Sequence, residues 1–192
     1  MPDTQRSLNT LLDHAGRSLS ALCHRYATGQ FTADIFGDHM LGTLESAHTQ
    51  AVVLGRHRAG DTTPLEEDDR EFARHVLREE EEFLSAFLDD LEEGRYNDDL
   101  GHPQGDAIER RARLYLGRVS GTANEAWALT ADGPFRWLLG DAAHCGDCPE
   151  LAAASPYTID SLPAYPRDNS TSCLQSCKCL LVDAQGRACF EG

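Results

Sequence analysis

Five of the seven cysteines fall into two short clusters, and their spacing constrains this chain more than any other feature. Cys145-Gly146-Asp147-Cys148 is a C-x-x-C, and Cys173-Leu174-Gln175-Ser176-Cys177-Lys178-Cys179 is a C-x-x-x-C-x-C. The 24 residues between them include Pro149, Pro156, Pro163 and Pro166. The surrounding 60 or so residues carry few large apolar side chains, and so small a segment needs a staple to fold. A C-x-x-C turn can place both sulfurs on one small cation. A second pair returned by the loop completes a tetrahedron with metal–sulfur bonds of about 2.3 Å.

Compartment decides between metal and disulfide. Residues 1–7 are polar and carry no apolar signal-peptide core, and no run of about 18 apolar residues occurs. A reducing cytosol is therefore expected, where clustered cysteines are more often ligands than disulfides. The expectation is one structural Zn2+, whose binding supplies folding energy. Five sulfurs compete for four places. Cys145 and Cys148 are the firmest, Cys173 and Cys177 come next, and Cys179 can replace either of these. His144 is placed to act as a ligand or as a donor to one. Cys23 lies on a helical stripe and reads as core, and Cys189 reads as outside the site.

The fold class expected is mainly α: a four-helix body over residues 1–131, then a cysteine-rich, zinc-stapled module with short strands over 132–192. In the first helix, about 4–27, Leu8, Leu11, Leu12, Ala15, Leu19, Leu22, Cys23 and Tyr26 form one stripe. Thr32 is a good N-cap for a second helix, with Phe36, Met40, Leu44, Ala47, Ala51 and Leu54 as its stripe and Gly55 or Gly60 as its end. A third helix is expected over about 66–93 and a fourth over 106–130. Gly117 and Gly121 in the fourth imply close packing against another helix. Phe135–Leu139 reads as a strand, and Cys179–Val182 with Arg187–Phe190 as a hairpin around a Gly-ended turn.

Charge narrows the partners. Lys and Arg number 17 against 32 Asp and Glu, a formal net charge of −15, so direct binding to nucleic acid or an anionic membrane is disfavoured. Residues 66–99 alone hold 15 acidic and 4 basic residues. Consecutive residues Glu79–Glu82 point around a whole helical turn and read as a solvated face, not a cation site. Catalytic patterns are missing: the sequence has no H-E-x-x-H, no H-x-E, no G-x-x-x-x-G-K-[ST] and no G-x-S-x-G. No enzyme is expected.

Residues 120–182 resemble a known family. Trp127, Phe135-Arg136-Trp137-Leu138-Leu139-Gly140 and the run from His144 to Ala152 are similar to the C-terminal region of tailed-phage head morphogenesis proteins. These are the minor head proteins related to protein F of phage Mu. Their pattern is a strand, a C-x-x-C, a Pro-rich loop and a closing C-R-C. Pro156-Tyr157-Thr158, Leu162-Pro163, Tyr165-Pro166 and Ser176-Cys177-Lys178-Cys179 take the later places, with Lys178 where Arg is usual and Cys173 where His is typical. The resemblance implies a virion protein of the phage head, made in the host cytoplasm and associating with portal or major capsid protein, with self-association a further option. A zinc-ribbon regulator or adaptor, and then a metal-dependent enzyme, are the alternatives.

Overall fold

In a computed structural model, which describes residues 4–191, the chain is mainly helical with one small sheet. Helix α1 (Thr4–Ala27) buries Leu8, Leu11, Ala15, Leu19 and Cys23 at the expected spacings of three and four. The Thr32 hydroxyl caps α2 (Ala33–Ala59) by accepting the Ile35 N–H at 3.4 Å, and left-handed Gly60 (φ +106°) ends it. Gly55, one of the two expected helix ends, lies inside α2 instead. A Cβ there would come within 2.4 Å of the Ala123 carbonyl, so it sets the close crossing on the last helix of the body.

The third and fourth expected helices are each broken in two. The third becomes α3 (Glu67–Glu79) and α4 (Glu81–Glu92), interrupted at Glu80. Glu80 is therefore not on a solvated face. It is 5% exposed, with one carboxylate oxygen 3.4 Å from His48 Nε2. The Thr122 hydroxyl lies 2.8 Å from His48 Nδ1 and 3.1 Å from the Arg118 carbonyl. The break turns Glu80 inward and resets the buried stripe from Ala73, Val76 and Leu77 to Leu84, Phe87 and Leu91. Glu79, Glu81 and Glu82 are not buried, as expected of that run. The fourth helix becomes α5 (Gly105–Arg113) and α6 (Tyr115–Thr130), parted at half-exposed Leu114.

Helix α6 contributes to the two large apolar cores and, through Ala126, to a small cluster with Val52 and Ala73. Tyr115, Leu116, Val119 and Ala123 join α1, α2, α4 and α5 in one. Trp127 and Ala128 join Phe135, Trp137, Leu181 and several cysteines in the other. Burial of each such large side chain is worth about 1.5–3 kcal/mol. The second core is sheltered by β1 (Arg136–Leu138) paired antiparallel with β2 (Leu180–Val182), with Trp137 opposite Leu181. Strand β1 matches the expected strand at 135–139.

The expected hairpin forms only in part. Its turn is present: the Asp183 side chain accepts the N–H groups of Gln185 and Arg187, and the Asp183 N–H donates to the Arg187 carbonyl at 3.0 Å. Ala188 makes an isolated bridge to Val182 and the Cys189 N–H donates to the Leu181 carbonyl at 2.9 Å, and past Cys189 the second arm departs from β2. Phe190 is drawn into the helical core, and its N–H donates to Asn124 Oδ1 at 2.9 Å.

Gly117 and Gly121 do mark close packing, Gly117 against a single 3-10 turn (Leu174–Ser176) and Gly121 against a loop, not against another α-helix. A Cβ on Gly117 would meet Gln175 at 2.5 Å, and one on Gly121 would meet the Arg167 carbonyl at 2.2 Å.

Candidate metal centre

The C-x-x-C opens a helix, α7 (Asp147–Ala154), and does not flank a strand. Pro149 sits in its first turn, where the missing N–H would have no helical partner anyway. Cys148 is 1% exposed and Cys145 half-buried. The second cluster arrives through the Pro-rich segment and is clasped onto the first. Asp147 Oδ2 accepts both the N–H and the hydroxyl of Ser172, each at 2.6 Å. These two bonds hold the Asp147 carboxyl below its usual range. Cys173 then leads a single 3-10 turn (Leu174–Ser176) into Cys177, and Cys179 precedes β2.

The five sulfurs gather around Cys148. Its Sγ lies 3.3 Å from that of Cys145, 3.7 Å from Cys173 and 4.0 Å from Cys177, and Cys145 lies 3.5 Å from Cys173. A tetrahedron with metal–sulfur bonds of about 2.3 Å has sulfur–sulfur edges of roughly 3.8 Å, and these four distances are of that length. They are far longer than a disulfide bond of about 2.05 Å, and all seven cysteines are free thiols. Cys148, Cys177 and Cys179 form a second group with sulfurs within 4.8 Å of one another, as do Cys145, Cys148 and Cys173. This cluster of Cys145, Cys148, Cys173, Cys177 and Cys179 can hold a metal ion.

Burial sets the thiols apart. Burial works against the Cys145 thiolate, but the N–H groups of Cys148 and Asp147 and the neighbouring thiols outweigh it, bringing its pKa down to about 7. Cys145 is thus more easily deprotonated than Cys148 or Cys177, at a helix N-terminus that favours negative charge. Burial pushes the Cys177 thiol up to about 12, and Cys148 is raised by burial and by its thiol neighbours. A cation among them would reverse these upward shifts, since only the thiolate is a ligand.

The remaining candidates sort clearly. His144 is exposed and lies outside both sulfur groups. Cys23 is buried among α1, α2 and α5 side chains, and burial lifts its thiol to about 12. Cys189 is buried in the second core, where its sulfur accepts the Leu181 N–H at 3.2 Å. Sequence reasoning singled out the sulfurs but not Asp147, which clasps Ser172, Arg167, whose Nε donates to the Cys177 carbonyl, or Asn124, which donates to the Pro166 carbonyl beside Arg167. The signal for Asp147 was its place inside the C-x-x-C turn, where an aspartate tends to accept nearby N–H groups. Nothing local marked Asn124 or Arg167.

Comparison of the chain with family models, with curated proteins and with solved structures returns no match. Among the described residues no helix is long and apolar enough to cross a membrane.

Proposed function

We propose that this chain is an assembly protein of a tailed-phage head, a minor head component that associates with portal or major capsid protein around a structural Zn2+. One observation carries this reading. The segment whose cysteine and proline pattern resembles the head morphogenesis proteins is the segment that brings five sulfurs together in two groups sharing Cys148.

Zinc suits the donor set. Soft thiolates select it over magnesium or calcium, which take oxygen ligands. Cys145, Cys148, Cys173 and Cys177 hold the ion, and Cys179 is the spare sulfur beside it. Four thiolates leave no open position, so the ion's contribution is stability: it ties the loop of residues 170–179 to the start of α7. We assign it no catalytic step. The helical body, fixed to this module along α6, offers the surface for portal or capsid.

The test is the particle itself. Proheads and mature virions of the phage that encodes this chain are purified and probed by mass spectrometry. The expected result is the protein in proheads at low copy relative to the major capsid protein. Its absence from both proheads and virions contradicts the proposal.

A further inference from the structure

Arg167 carries a positive charge into the protein next to the sulfur cage. It is 7% exposed, and no carboxylate pairs with it among the described residues. Its Nε donates to the Cys177 carbonyl at 2.9 Å and its Nη1 to the Glu191 carbonyl at 3.4 Å. The thiols of Cys189 and Cys177 are the titratable groups that act on it electrostatically. Lys178, the chain's only lysine, is exposed although it sits between two of the cysteines.

The position of Arg167 is held on purpose-built packing. Its backbone is left-handed at φ +73°, a conformation uncommon for a residue other than glycine. Asn124 on α6 donates to the preceding Pro166 carbonyl at 3.0 Å, and Gly121 leaves room for the Arg167 carbonyl itself.

We propose that Arg167 is the counter-charge of the cysteine cage and that it sets how tightly the cage holds a divalent cation. A buried charge persists when opposite charge faces it. Four thiolates around a divalent ion carry a net charge of −2, and Arg167 supplies the buried cation facing it from the Cys177 side. Arg167 otherwise bonds only to the Cys177 and Glu191 carbonyls, so its burial and a filled cage favour each other. Arg167 is a positioning residue, not a ligand. This inference rests on the metal reading above.

The test uses the full chain and zinc alone, in competition with a chromophoric chelator. Arg167→Gln removes the charge, and Arg167→Lys keeps it. Arg167→Gln is expected to weaken zinc binding by about tenfold or more, and Arg167→Lys by no more than about threefold. Cobalt(II) in place of zinc adds a readout that packing alone does not move. Loss of a nearby positive charge shifts the sulfur-to-metal charge-transfer band to lower energy in Arg167→Gln, and Arg167→Lys keeps the wild-type band. Equal affinities for all three chains overturn the inference, as do equal losses in both variants with an unmoved band. If Arg167→Gln does not fold in saturating zinc, Arg167→Lys decides alone: a loss of tenfold or more in that variant overturns the inference. A wild-type chain that takes up no zinc overturns the metal reading and this inference with it, an outcome distinct from any difference among the variants.

Discussion

The guanidinium of Arg58 lies over the ring of Phe190, its Cζ 4.8 Å from the ring centroid, while its Nε donates to the Ala188 carbonyl at 2.7 Å. Arg58 belongs to the last turn of α2, and Phe190 is the penultimate residue described on the C-terminal side of the cysteine module. One side chain thus ties the end of the chain to the helical body through both a hydrogen bond and a cation–π contact. Phe190 is fully buried in the helical core. Phe190→Ala is expected to destabilise the protein by about 3–5 kcal/mol, the usual cost of emptying an aromatic site in a packed core. Urea unfolding followed by circular dichroism measures it. A cost under about 1 kcal/mol means the C-terminal segment is not part of the core.

Gly121 is the closest approach between α6 and the loop that carries Arg167. An added Cβ would stand 2.2 Å from the Arg167 carbonyl oxygen, a backbone atom and not the far end of a flexible side chain. Gly121→Ala is therefore expected to cost about 1–3 kcal/mol, although alanine is the better helix former by about 1 kcal/mol. Gly42, on the open side of α2 with nothing near its would-be Cβ, is the control. Gly42→Ala should be neutral or stabilising in the same urea series.

The ligand assignment predicts unequal serines. Cys148→Ser and Cys177→Ser should each lose stoichiometric zinc, and Cys179→Ser should keep one ion per chain. Metal analysis after desalting distinguishes them. Loss of zinc in Cys179→Ser with retention in Cys177→Ser would exchange the roles of these two sulfurs.

Asp61 gives a pH dependence with a defined sign. The N–H and the hydroxyl of Thr63 and the Arg56 guanidinium hold its carboxyl down at about 2, against an ordinary 3.8. A carboxyl whose pKa is lower in the folded state contributes stability that is present above 3.8 and is lost as pH falls through 2. The difference in urea midpoint between wild type and Asp61→Asn should be plain at pH 6 and vanish near pH 2. A difference that does not change with pH removes the carboxylate's charge from the explanation.

The helical class, the first two helices nearly to the residue, the strand at 135–139 and the cysteine set were legible in the sequence because each rests on local pattern. The stripe in α1 and the Thr32 cap need no tertiary information. The break at Glu80 was not legible, because His48 lies some 30 residues earlier and only packing brings the two together. Four consecutive glutamates read as surface, and three of them are not buried. The failed second arm of the hairpin has the same origin: Arg187–Phe190 has a strand's composition, but Arg58 and Asn124 offer Phe190 a better place in the helical core. The glycines of α6 announced a close approach but not its partner, which is Gln175 and the Arg167 carbonyl and not the expected helix, since a missing side chain does not say what fills the space.

The most direct measurement is native mass spectrometry of the full chain purified without added chelator, with the metal identified by elemental analysis. The account predicts one zinc per chain, retained through desalting and lost on unfolding in acid. A chain that folds with all five clustered cysteines as free thiols and no bound metal contradicts it.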